Sequence, residues 1–231
     1  MIPLRDVIPS RTTPYVNVGI IVLNALAWFF ELSIPSNVLP RFVEVYGVVP
    51  AHFSLATVFT SMFLHGSWMH LIGNMWFFWL FGNNIEDSMG HVRFLVFYLT
   101  CGVAAAMSQT LADPSSIVPM VGASGAISGV MGAYLVLYPR VRVFTLVPIG
   151  FFLTSIALPA WVMLGYWMLL QVLGGAFGGG EGGVAFWAHV GGFVSGVILI
   201  RLFARGDYIA EHRSRKYRPR RSRTRRRGPW D

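Results

Sequence analysis

The sequence predicts an all-α membrane protein, a bundle of six spanning helices, and three observations predict it. Hydrophobic residues make up 55% of the 231-residue chain and charged residues 12%, with a mean hydropathy of +0.58. That balance is foreign to soluble globular domains. Six apolar stretches recur near residues 16–33, 68–85, 92–111, 124–138, 152–173 and 184–203, close to the roughly 20 residues that cross a hydrocarbon core. Little chain is left between them for a separate soluble module. The expected organisation is a cytoplasmic segment over 1–15, one six-helix unit over 16–204 and a tail over 205–231.

The N-terminus lacks the pattern of a cleaved signal peptide, so Val16–Ser33 reads as a retained first span. A long loop, 34–67, leads to span two, which opens with His65, His70 and Asn74 in the spacing His-x4-His-x3-Asn. Span three follows at once. Span four starts inside Val-Gly-Ala-Ser-Gly-Ala-Ile-Ser-Gly (121–129), which contains Ser124. Val141–Leu173 is apolar for longer than one crossing needs, and Pro148 and Pro159 interrupt it. Its first part is expected to be interfacial or re-entrant and its later part to cross. The glycine-rich stretch Gly174–Gly183 then precedes span six, which carries His189 in Ala-His-Val-Gly-Gly.

Charge sets the orientation. Residues 1–204 hold seven basic and seven acidic residues, whereas 205–231 hold eleven basic and three acidic ones. The run Arg213–Arg227 cannot bury a core and reads as a disordered tail, drawn to anionic lipid rather than to any specific nucleic acid. Arg5, Arg11, Arg93, Arg140 and Arg142 all fall on the tail's side of the bundle. By the positive-inside rule both termini face the cytoplasm.

Spans two, four and six therefore run from outside to inside. With about 1.5 Å of rise per residue, the trio His65, His70 and Asn74, then Ser124, then His189 all lie at one outer level. Polar side chains within a bilayer are costly and point to function. A hydroxyl beside imidazoles suggests a nucleophile and its base. Gly125, Gly129 and Gly132 line span four, and Gly192, Ser195 and Gly196 line span six. Such stripes let backbones approach closely, which would bring Ser124 to His189. His70 and Asn74 share a helix face, four residues apart, where they could donate to a developing oxyanion. His65, one turn further out, is expected only to orient the loop.

No acidic residue is expected in an outer span end, so the chemistry reads as a Ser–His dyad without an acidic third member. His52, His91 and His212 read as solvated, and Glu86 and Asp87 lie at the opposite end of span two. Zinc held by His65, His70 and His189 is the alternative chemistry, but it would lack the carboxylate base of a metalloprotease motif. No metal or cofactor is therefore expected. Cys101 is the only cysteine, which excludes an intrachain disulfide.

In these motifs the chain resembles the rhomboid intramembrane serine proteases. The matching pieces are His65-Gly-Ser-Trp-Met-His70-Leu-Ile-Gly-Asn74, Gly122-Ala-Ser-Gly-Ala-Ile-Ser-Gly129, and Ala188-His189-Val-Gly-Gly192 with Gly196. The resemblance implies a rhomboid-type six-helix bundle in which Ser124 is the nucleophile and His189 the general base and then acid. It implies an oxyanion hole from the Ser124 backbone N–H, His70 and Asn74, with Gly122 and Gly125 in support. Substrates would be transmembrane proteins cut in or near their spans. The enzyme would sit in a bacterial-type plasma (inner) membrane with its site opening outward, and Gly174–Gly183 would match a flexible cap.

Two departures stand out. Ser128 occupies the position where the family often has an aromatic ring for the histidine to pack on. The loop 34–67 lacks the family's Trp-Arg pair, for which Arg41, Tyr46 and Trp68 are the nearest substitutes. The rival functions are a non-catalytic relative that binds membrane clients, and a small transporter. The latter would more often show inverted repeats and midplane carboxylates.

Overall fold

The computed structural model describes residues 1–150, 152–177 and 184–210. Its long helices are α1 (Tyr15–Ser33), α4 (Trp68–Met89), α5 (His91–Ala112), α6 (Ser124–Leu137), α7 (Ala160–Phe177) and α8 (Phe186–Phe203). Two short helices, α2 (Leu39–Tyr46) and α3 (Leu55–Ser61), occupy the loop between α1 and α4. Helices α1, α5, α7 and α8 are long and apolar enough to cross a membrane; α6, at 14 residues, is shorter.

Helices stand at all six expected spans, with one shift. Instead of helix from 152, residues 142–149 and 152–159 pair as antiparallel strands, β2 (Arg142–Ile149) and β3 (Phe152–Pro159), and α7 begins at Ala160. The hairpin turns at Gly150, whose φ of +59° suits a residue without a Cβ. Pro148 and Pro159, unsuited to a helix interior, lie near its two ends. Strand β1 (Ile2–Asp6) adds to β2, making a three-stranded sheet beside the six-helix bundle.

The sheet marks one end of the bundle, the end that also receives the start of α1. There Asp6 Oδ2 accepts hydrogen bonds from Tyr134 (2.6 Å) and Asn84 (2.7 Å). The buried carboxylates of Glu86 and Asp87 serve the same end. Glu86 accepts from the backbone N–H groups of Val16 (3.0 Å) and Asn17 (2.9 Å), and Asp87 from Arg11 and Thr12. The first N–H groups of a helix have no intrahelical partner and carry partial positive charge, so a carboxylate there caps α1. His91, expected to be solvated, is half-exposed and also places Nδ1 against Glu86 Oε1. Residue 205 returns to this end, its N–H donating to Ser88 O at 2.9 Å.

The centre is apolar and closely packed. Phe78 and Phe81 of α4, Phe94 and Tyr98 of α5 and Tyr134 of α6 are buried. Helices α6 and α8 meet along their glycines, as the stripes predict. A methyl group at Gly196 would lie 1.9 Å from Gly129 O, and one at Gly192 would lie 2.0 Å from Gly125 O. Only hydrogen at these positions permits the contact.

Candidate active site

The opposite end of the bundle collects the polar residues. Ser124 is the first residue of α6, so its backbone N–H has no intrahelical carbonyl. His189 lies in the first turn of α8. Because the glycine stripes seat α6 directly on α8, Ser124 Oγ comes within 2.7 Å of His189 Nε2. Gly125, just after the serine, would place a Cβ 2.6 Å from that of Ala105 and so keeps α5 close as well.

Helix α4 supplies the third group. Its N-cap is Ser67, whose Oγ accepts from the His70 N–H at 3.1 Å, which fixes the first turn. Asn74 Nδ2 donates to His65 Nε2 at 3.0 Å, and His65 Nδ1 faces Phe63 O at 3.3 Å. The amide is thereby oriented with its nitrogen toward the chain at Gly122. Gly122 has φ +120°, and a methyl group there would lie 2.6 Å from His70 Cε1 and Nε2. Any side chain at 122 would thus strain the backbone and strike the imidazole.

His65 is buried, and its backbone N–H donates to Glu31 Oε1 at 3.1 Å. Glu31, near the end of α1, corrects the expectation that no acid occupies an outer span end. It binds the turn that presents His65 and does not touch His189, which finds its partner elsewhere.

That partner is Gln171 of α7. Its Oε1 lies 2.7 Å from His189 Nδ1, and the Trp167 ring, one turn earlier, sits 5.7 Å from the imidazole. The missing aromatic at 128 is thus made up from another helix, while Ser128 Oγ donates to Ser124 O at 2.6 Å. Sequence reasoning passed over Gln171. The signal was there, a polar residue inside an apolar span. The first N–H groups of α8 are also served by a side chain, for Ala188 N donates to Gln109 Oε1 at 3.2 Å.

A cavity of about 990 Å³ opens over this cluster, with Ser124, His189, His70, Asn74, Gly122 and Trp167 in its wall. His189 has both ring nitrogens engaged and His65 spends Nε2 on Asn74, so the three imidazoles do not converge as zinc ligands would. Arg41 pairs with exposed Glu44 at 2.8 Å, and Trp68 packs edge-on against Trp28 and Phe29, all away from the cavity wall. The suggested cap falls partly, and His212 and the arginine run wholly, outside the described residues.

Known proteins are similar to this chain over much of its length. Residues 52–206 match the family model of the Rhomboid domain. The chain is 36% identical over 118 residues to YdcA, a rhomboid of Bacillus subtilis (strain 168), a match covering 50% of this chain and 59% of that protein. It is 28% identical over 167 residues to Rhomboid protein 1, mitochondrial, of Saccharomyces cerevisiae, covering 68% and 45% respectively. It is 32% identical over 146 residues to Rhomboid-like protease 5 of Toxoplasma gondii, covering 60% and 15%. The chain thus spans less than two thirds of the length of each of these relatives. The matched region contains α4 to α8 and every polar residue in the cavity wall, and the chain belongs to the rhomboid family of integral membrane proteins.

Proposed function

We propose that this chain is an intramembrane serine endopeptidase that hydrolyses peptide bonds in or near the transmembrane segments of other proteins. The observation that carries the reading is the 2.7 Å approach of Ser124 Oγ to His189 Nε2 in the wall of the cavity. That distance lies within hydrogen-bond reach of a general base. Ser124 attacks the scissile carbonyl while its proton passes to His189 Nε2. The electron pair of the carbonyl moves onto oxygen, and that oxyanion faces the Ser124 N–H and the side chains of His70 and Asn74. His189 then returns the proton to the departing amine, and a water molecule repeats the sequence on the acyl-enzyme. His65, Gly122 and Gly125 support the site by orienting Asn74, admitting the His70 ring and seating α6 on α5.

On this reading the sheet end and both termini lie on the cytoplasmic side of a bacterial-type plasma membrane and the cavity opens outward, in keeping with the positive-inside bias of the charges. The substrates on this reading are single-pass or other transmembrane proteins, and the tail associates with anionic lipid.

A fluorophosphonate probe tests the reading, because only a serine activated by a neighbouring base reacts readily. Labelling is expected at Ser124, with none in Ser124→Ala and a steep loss in His189→Ala. Cleavage of a reporter transmembrane substrate should follow the same pattern and be indifferent to chelators. Undiminished cleavage by Ser124→Ala, or cleavage lost to a chelator and restored by zinc, would defeat it. A client-binding protein would bind the reporter without cutting it.

A further inference from the structure

A serine–histidine pair works only if the imidazole presents a lone pair to the hydroxyl. Neutral histidine has two tautomers, and just one of them, with the proton on Nδ1, leaves Nε2 free to accept from Ser124. Something must favour that tautomer. Position 128 does not, because its hydroxyl is turned to the backbone of α6. Of the acids at this end of the bundle, Glu31 is occupied by the His65 backbone, and Asp113, in the cavity wall, accepts from Ser115 Oγ at 3.3 Å.

The group that faces Nδ1 is the side chain of Gln171, at 2.7 Å. Its orientation follows from its second contact. The other end of the amide lies 3.4 Å from the Trp167 carbonyl, one turn back along α7. A carbonyl can only accept, so the atom beside it is the NH2 group and the atom beside His189 is the oxygen. An amide oxygen in turn can only accept, so His189 carries its proton on Nδ1. The Trp167 ring, tilted 41° to the imidazole at 5.7 Å, limits its rotation from the same helix. Gln171 is buried to 9% exposure in a stretch otherwise rich in Leu, Trp and Met, a costly position for an amide unless both its ends are used.

We propose that Gln171 is the positioning residue of the dyad: from α7 it accepts the Nδ1–H of His189 and so fixes Nε2 as the base that faces Ser124. This rests on the protease reading of the site. Gln171 touches no reacting atom. During attack Nε2 gains the serine proton while Nδ1–H stays on the amide oxygen, so the same hydrogen bond serves the neutral and the charged imidazole. The site thus draws on three helices, with the nucleophile on α6, the base on α8 and the orienting acceptor on α7.

Two measurements test this. In wild-type protein carrying ¹⁵N-histidine, with the signal assigned through its loss in His189→Gln, His189 should give the spectrum of the Nδ1–H tautomer. In Gln171→Leu, similar in size but without an acceptor, that signal should shift toward a mixture of tautomers. Turnover and the fluorophosphonate labelling rate should fall together, on the order of 10–100-fold, with KM and thermal stability little changed, because a misassigned tautomer removes the base and not the substrate site. An Nε2–H tautomer in the wild type, or Gln171→Leu at the wild-type labelling rate, overturns the proposal. Failure of wild-type Ser124 to react at all would instead overturn the protease reading, while the wild-type tautomer would still decide what Gln171 does.

Discussion

At the scale of single residues, the site is a set of hydrogen-bond donors and acceptors whose directions are fixed by their second contacts. Asn74 illustrates this. One hydrogen of its amide is spent on His65 Nε2, whose ring is held by Phe63 O and whose backbone is held by Glu31. The remaining donor capacity is directed at the chain beside Ser124. On the proposed chemistry, Asn74→Ala and His70→Ala should each lower kcat on the order of 10–1000-fold while the bundle stays folded, since such donors act chiefly on the transition state. Turnover of a reporter substrate at matched expression, with thermal melting as a control, checks this, and wild-type turnover in both variants would remove them from the oxyanion site. The sequence indicated Ser124, His189, His70 and Asn74 because each interrupts an apolar run. Gln171 interrupts one too, but its meaning depends on a partner 18 residues away on a neighbouring helix, and no spacing rule links the two.

At the scale of elements, the decisive contact is that of α6 with α8. A Cβ at Gly192, Gly196 or Gly132 would enter the backbone oxygen of Gly125, Gly129 or Phe193 across this contact, while Gly125 and Gly129 themselves face Ala105 and Cys101 of α5. This was legible beforehand, because small residues at helical spacing have few other uses in a span. Gly196→Ala should therefore cost about 1–3 kcal/mol by overpacking. It should also reduce labelling of Ser124, because α8 must move off α6 and carry His189 with it. Thermal melting in detergent beside the labelling rate measures both effects, and an unaltered melt with unaltered labelling would refute the backbone contact. The hairpin β2–β3 was less legible. Its apolar, β-branched residues suit a span as well as a strand, and the prolines that bound it indicate only where helix is unfavourable.

At the scale of the whole molecule, the fold sets two groups of polar residues at opposite ends of the bundle. One end holds the cavity. The other holds the sheet, the Glu86 and Asp87 caps and the residues that lead into the basic tail. Deleting residues 213–231 should accordingly leave peptide-bond hydrolysis in detergent unchanged. Association with anionic vesicles should weaken, by about 1 kcal/mol for each arginine that engages the surface. Activity assays and vesicle flotation on the truncated chain test the separation, and loss of detergent activity in a folded truncation would contradict it.

The sequence by itself determined the six apolar helices, the polar residues that interrupt them, the stripes that pair α6 with α8 and the family to which these belong. Those features are local or periodic: an apolar run, a spacing of three or four residues, or a short motif is complete within its own segment. Only the tertiary structure decided what lies beside Nδ1 of His189, that Glu31 holds the His65 turn, that His91 meets Glu86, and that residues 142–149 and 152–159 pair as strands with the N-terminus. Each of these is a contact between segments far apart in the chain. Polar groups removed from water must find some partner, but which partner they find is set by how the helices pack, and no single stretch of sequence records it.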